Sequence, residues 1–404
     1  MAETGPQPDA GAATRRPRIG VVITELGIPS EIWAYRQCLA MRRVEPVLFS
    51  WRTHAPAPTW GAGVESHLFE GPFEPPNSLW RRVGRKLGRP GPLMPPRALA
   101  SLWGAQLLGA GLDGVLCHFA WNAIPIARAL AGRLPLVAQV HGRDVSALLR
   151  HASYRRALAE TLPRLDHLVA VGTFQIETLR PLGLGARHSV IPCGAPLAAF
   201  AARPPPTRAP DGPLRFITVG RISHEKGALE TLAAFEAVHA EFPRAEWVAI
   251  GDGPLMAELR AAVDRSPAGA AVRLAGWMPP EQVAEELAAA HVFLQHSLPF
   301  GDWVEGFGVS LTEAGASGLP IVASRFGGIV DQLEDGRNGF LHAPGDVAGQ
   351  AAAMGRLAGD EALRQRLGAA ARTLAGRFDS DLMTAKLEDV LLDAVARRAA
   401  PGAP

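Results

Sequence analysis

At 404 residues, 48% hydrophobic and 20% charged, the chain is long enough for two or three globular domains with substantial cores. Its 41 basic and 39 acidic residues leave a formal charge of +2, too small an excess for a dedicated nucleic-acid binder. No uncharged apolar run reaches membrane-spanning length. Cys38, Cys117 and Cys193 are scattered without metal-site spacing, which fits buried thiols in a reducing cytoplasm. Lysine occurs only as Lys86, Lys226 and Lys386, so a lysine inside a motif carries more weight here than usual.

Residues 1–17 are rich in Ala, Gly and Pro without an apolar signal core, and are expected to form a disordered leader. Arg18–Thr24 is a β-branched run suited to a buried parallel strand. A loop with Gly27 and Pro29 follows, then a helix over 31–43 capped by Ser30. Pro46–Trp51 reads as a second strand, and regularity is lost from Arg52 to Pro96. There Arg81, Arg82, Arg85, Lys86 and Arg89 interleave with Leu79, Trp80, Val83, Leu87, Leu93 and Met94. Such a segment, 79–97, either lies on an anionic membrane surface or forms a solvated basic loop.

Strands over Val115–Phe119 and Leu136–Val140 bring His118 and His141 to their carboxyl ends, where open parallel sheets place ligands. A lone histidine at such a point also serves as an ordinary hydrogen-bonded structural residue. His167–Val171 and His188–Ile191 are two further short strands, and the Pro-rich stretch 196–213 is the linker.

A second alternating set begins with the strand 214–220, which runs into Arg221 and Lys226-Gly227. Two cations on a short loop can neutralise a leaving diphosphate without a metal. Strands over 246–251, 291–297 and 320–324 follow. Gly251-Asp252-Gly253 begins like a dinucleotide fingerprint, but Met256 stands where the third glycine belongs. The pattern centres on Glu305-Gly306-Phe307-Gly308-Val309, ahead of a helix that starts near Gly308 and stops at Gly318-Leu319-Pro320. The first turn of that helix attracts anions, above all phosphate. Glu313 shares a face with Val309 and can reach a hydroxyl-bearing group beside the phosphates. Beyond about Arg356 the pattern is helical, ending in an apolar stripe from Leu382 to Val395. Alternating strands and helices on both sides of a linker make this an α/β chain with two doubly wound domains facing across a cleft.

These motifs together resemble retaining glycosyltransferase family 4, which has the GT-B fold with two Rossmann-like domains. They are Glu305-Gly-Phe-Gly, Glu313-Ala, Gly318-Leu-Pro, His141-Gly-x-Asp144, and Gly220-Arg221 with Lys226-Gly227. The resemblance covers most of 110–345, is strongest over 214–345, and is closest in character to colanic-acid or exopolysaccharide transferases. It implies an acceptor-side domain over 18–195, onto which a final helix over 380–398 packs back, and a nucleotide-sugar domain over 214–379. It further implies transfer of a hexosyl residue from a UDP- or GDP-linked sugar, with no cofactor and no metal, to a glycan or lipid-linked acceptor. Such an enzyme would be cytoplasmic, at most peripheral on the membrane.

By the same resemblance, Arg221, Lys226 and the backbone of Gly306, Phe307, Gly308 and Val309 hold the diphosphate. Glu313 takes the ribose, Glu305 the donor sugar, and His141 positions that sugar, with His118 on the acceptor side. Gly27, Gly251 and Gly253 correspond to donor-side turns, and Trp277 to the position beside the nucleobase. Two departures stand out: the loop at Gly27 lacks a Gly-Gly pair, and Cys193 replaces Asn in Pro192-Cys193-Gly194. A GT-B epimerase or phosphorylase, or a transferase acting on small natural products, shares the architecture. A nicotinamide oxidoreductase would need the missing fingerprint, and an inactive subunit would be expected to have lost Glu305, Arg221 or Lys226.

Overall fold

The computed structural model describes residues 15–27, 32–53, 63–71, 97–185, 187–202 and 212–400. Most of the expected leader, Ser30, nearly all of the basic segment 79–97, and 203–211 of the expected linker lie outside them.

Among the described residues the first sheet has seven strands, all parallel. They are β1 (Arg18–Val22), β2 (Glu45–Ser50), β3 (Glu65–Leu68), β4 (Gly114–His118), β5 (Leu136–Val140), β6 (His167–Ala170) and β7 (His188–Val190). Their order is β3-β2-β1-β4-β5-β6-β7, so the winding reverses between β1 and β4. The second sheet holds β8 (Leu214–Val219), β9 (Ala245–Ile250), β10 (Val272–Gly276), β11 (Val292–Gln295), β12 (Ile321–Ser324) and β13 (Gly339–His342). It is also parallel, in the order β10-β9-β8-β11-β12-β13, and reverses between β8 and β11.

Both sheets are covered on both faces, which is why their central strands read as unbroken apolar runs rather than alternating ones. Phe49, Trp103 and Leu107 fill one face of the first sheet. Met383, Leu387 and Leu391 of the final helix, Ser380–Ala399, cover the other. In the second domain Phe216, Phe235 and Trp247 pack on one side, and Ile217, Phe293 and Leu311 on the other.

The structure departs from the sequence expectations at several points. Arg15–Pro17, expected as the end of the leader, are pinned to the first sheet. Arg15 pairs with Asp113 at 3.0 Å, and the Glu45 N–H donates to the Pro17 carbonyl at 2.8 Å. The expected linker opens with a helical turn, Ala198–Ala201, whose Phe200 is buried in the core of the second domain. Strand β3 falls where irregularity was expected. All four of its residues are exposed at the sheet edge, so it carries no hydrophobic signature. Strand β13, only four residues long, was also missing from the reading.

The chain crosses between the domains twice, side by side. The Ala195 N–H donates to Phe378, and the Ser380 N–H donates back to Ala195, at 3.0 and 2.9 Å. On one side of the cleft the domains touch. Thr173 donates to Asp331 through its N–H at 2.8 Å and its hydroxyl at 2.6 Å, and Arg150 pairs with Asp302 at 3.2 Å.

Candidate functional site

Both topological switch points open toward the same cleft, and the candidate residues gather there. The loop after β8 carries a short turn, His224–Lys226, tied to the segment after β11 by the Leu298 N–H donating to the Glu225 carbonyl at 3.0 Å. This bond brings the two loops together and aims Lys226 at Glu305. The Lys226 ammonium lies 2.5 Å from Glu305 Oε2 and 5.2 Å from the centroid of the Trp303 ring. The same Oε2 accepts from Gln295 at 2.8 Å and from Ser297 at 3.1 Å. Glu305 is buried, and these partners replace the water its carboxylate has lost.

Gly306 follows, pressed against the other domain. A Cβ on it would lie 2.4 Å from the His141 carbonyl oxygen, so only glycine lets the two backbones approach this closely. Gly308, with φ +84°, caps the helix Val309–Ala316 in the left-handed region, leaving first-turn N–H groups without an intrahelical partner at the end nearest Glu305. Phe307 is buried against Phe378, whereas Val309 is 40% exposed at the mouth. The Glu305 carbonyl accepts from the Gly328 N–H at 2.9 Å, which fixes the loop from behind. The side-chain carboxyl of Glu313, on the same helix, has no hydrogen-bond partner among the described residues, and burial pushes it up to about 7.

Across the cleft, Asp144 organises the His141 turn. Its carboxylate accepts from the N–H groups of Gly142, Ala120 and His141 at 2.8, 2.9 and 3.1 Å. It thereby ties the end of β5 to the helix after β4. His141 Nε2 lies 3.3 Å from His118 Nδ1, and His141 Nδ1 lies 3.4 Å from Cys193 Sγ. Burial pushes the Cys193 thiol up to about 12 and His118 down to about 3. It also holds His141 well below its ordinary value. All three are therefore neutral near pH 7. Each ring nitrogen of His141 thus has one partner, Cys193 at Nδ1 and His118 at Nε2. The remaining His118 Nε2 is buried with no partner. Trp33 flanks this chain, its ring 4.4 Å from that of His141.

The structure thus brings Lys226, Glu305, Gly306 and His141 together across the cleft, with Phe307, Gly308 and Val309 at the helix start, Glu313 a turn farther along that helix and His118 buried behind His141. It places the others differently. Arg221 turns away from Glu305 to pair with Glu225, its side chain 61% exposed. Gly251 and Gly253 pack against the backbone of Gly220 and Ile222, supporting the Arg221 loop. Trp277 is 74% exposed beyond β10, and Gly27 (φ +99°) ends a short pairing of Glu25–Leu26 with Arg52–Thr53. The sequence reading missed Gln295, Ser297, Trp303, Asp331 and Trp33. A signal for the first two was present in Gln295-x-Ser297, polar residues ending an otherwise apolar strand.

Two family models match the chain: Glycosyltransferase Family 4 over residues 32–199, and Glycosyl transferases group 1 over 201–374. They meet where the chain crosses between the domains. The amylovoran biosynthesis glycosyltransferase AmsK of Erwinia amylovora is 30% identical over 68% of this chain and 69% of its own length. The putative colanic acid biosynthesis glycosyltransferase WcaL of Escherichia coli is 26% identical over 62% of this chain and 63% of its own. Among solved structures, Anabaena HepE in complex with UDP superposes with a TM-score of 0.74 at 17% identity, over 93% of this chain and all of that one. The lipopolysaccharide outer core galactosyltransferase WaaB gives 0.71 at 17%, over 93% and 99%. With the two parallel-sheet domains and the glutamate-lysine cluster between them, these matches show that the chain belongs to the family 4, group 1 glycosyltransferases of the GT-B fold.

Proposed function

We propose that this glycosyltransferase moves a hexosyl residue from a nucleotide-diphosphate sugar to an acceptor hydroxyl with retention at the anomeric carbon, in the assembly of an exopolysaccharide. The observation that carries this reading is the Lys226–Glu305 pair beside the N-terminus of the helix Val309–Ala316. A diphosphate settling on that helix end competes for Lys226. Its departure leaves Glu305, still held by Gln295 and Ser297, free to accept from donor-sugar hydroxyls. Positive charge aimed at a leaving diphosphate stabilises the transition state by several kcal/mol, to order of magnitude. The names of the similar AmsK, WcaL and HepE support a polysaccharide product and a UDP-linked donor.

Incubating the protein with UDP- and GDP-sugars, and following products by NMR, tests the reading. The expected result is transfer with the anomeric configuration kept, at an unchanged rate in EDTA, since cationic side chains supply the countercharge. An inverted product, or a rate lost in EDTA and restored by Mg²⁺ or Mn²⁺, overturns it.

The basic segment 79–97, of which the structure describes only Arg97, is proposed to hold the enzyme at an anionic membrane near a lipid-linked acceptor. Among the described residues no helix is long and apolar enough to cross a membrane. Each basic residue near an anionic leaflet contributes on the order of 1 kcal/mol. Binding to anionic liposomes should therefore fall as salt rises, and again when Arg81, Arg82 and Arg85 become Glu. Equal sedimentation with neutral and anionic vesicles would leave the solvated-loop alternative.

A further inference from the structure

The edge of the first sheet opposite the cleft has a site of its own. At the amino ends of β5 and β6 a cavity of about 680 Å³ opens between the helix Ala120–Leu130 and the last turn of the final helix. Its walls are apolar, formed by Leu130, Leu134, Leu136 and Leu165 among others. Its rim carries Arg164, Arg187, Arg397 and Arg398, against the single acid Asp166.

The charges at this rim do not balance. Arg398 pairs with Asp166 at 2.9 Å, and Arg397 pairs with Asp393 on its own helix. Arg164 and Arg187 have no ion-pair partner among the described residues. Burial and the neighbouring Arg187 both lower the Arg397 pKa. Nearby, burial together with Arg397, His188 and Arg187 pushes His167 down to about 4. The rim thus carries four cations against one acid, with the exposed guanidinium groups of Arg164 and Arg187 outside any ion pair among the described residues.

We infer that this cavity binds an amphiphilic phosphate, a phosphate ester of a hydrocarbon chain, with its phosphoryl group on Arg164 and Arg187 and its chain over Leu130, Leu136 and Leu165. The guanidinium fork matches phosphate oxygens two at a time, and the apolar walls give a reason to prefer an ester with a tail over a bare anion. The site lies at the amino edge of the strands, whereas the donor cleft lies at their carboxyl edge, so the two ligands do not compete.

Calorimetric titration of the full-length protein with decyl phosphate, below its micelle concentration, tests this. One saturable site is expected, with inorganic phosphate and decyl maltoside each at least about fivefold weaker. The Arg164→Gln/Arg187→Gln variant should lose about fivefold or more in decyl phosphate affinity while melting at the same temperature. Leu134→Glu, which sets a carboxylate in the wall without touching either arginine, should weaken binding as well. Inorganic phosphate binding as tightly as decyl phosphate, or unchanged affinity in both variants, overturns the inference. With Arg81, Arg82 and Arg85 already changed to Glu, to remove the contribution proposed for 79–97, cosedimentation with phosphatidic-acid vesicles that the Arg164→Gln/Arg187→Gln changes abolish assigns the ligand to a bilayer lipid. Decyl phosphate binding without such cosedimentation assigns it to a soluble amphiphile.

Discussion

Replacing Lys226 by Ala is expected to lower kcat/KM by about a hundredfold or more, corresponding to ~3 kcal/mol of lost transition-state stabilisation. The ammonium sits at the switch point of the second sheet, beside the helix end proposed to hold the diphosphate, and is the nearest cation to Glu305. Arg221→Ala should cost about tenfold or less. Its guanidinium is 61% exposed and paired with Glu225, and exposed pairs contribute little. Because removing Lys226 also leaves Glu305 with one partner fewer, the melting temperature of each variant must be measured beside its kinetics. Near-normal turnover of a folded Lys226→Ala protein, or equal losses at 226 and 221, would contradict the assignment of countercharge to Lys226.

Donor affinity should rise with pH and level off above about 7, because the carboxyl of Glu313 is pushed up to about 7 by burial. The sign follows from its isolation. With no partner among the described residues, the neutral acid is favoured in the free protein, whereas ribose hydroxyls donating to it favour the carboxylate. Binding near pH 6 should therefore release a proton, detectable by calorimetry in buffers of different ionisation enthalpy. Hydrogen bonds to a charged group contribute about 1.5–3 kcal/mol, so Glu313→Ala should weaken donor binding by roughly ten- to a hundredfold. For stability the linkage runs the other way. Stability tied to the raised pKa is fully present below the ordinary value of 4.5 and is lost as pH rises through about 7. Glu313→Gln should accordingly melt above the parent at pH 8 and alongside it at pH 4. Donor affinity independent of pH between 6 and 8, with no proton released, would remove Glu313 from the site.

Much of this was legible in the sequence because it depends on short-range pattern. Buried parallel strands need continuous apolar runs, so Leu136–Val140 could be placed to the residue. The helix after Gly308 followed from glycine at its start and Gly318-Leu319-Pro320 at its end. Strand β3 escaped because an exposed edge strand has no face to bury, and periodicity cannot mark what burial does not select.

Side-chain partnership was not legible. The sequence placed Arg221 and Lys226 together as diphosphate ligands, but packing turned one toward Glu225 and the other toward Glu305. The histidines were identified singly. Their joining to Cys193, with both nitrogens of His141 engaged, required β4, β5 and the crossing segment to lie side by side. The Thr173–Asp331 contact spans two domains and 158 positions. The sequence by itself therefore determined the two domains, the strand ends and the glycines that let backbones meet, since these follow from local conformational and burial preferences. Only the tertiary structure decided which charges pair and which stay unpaired, because strand order in a parallel sheet brings together residues that no period in the chain connects.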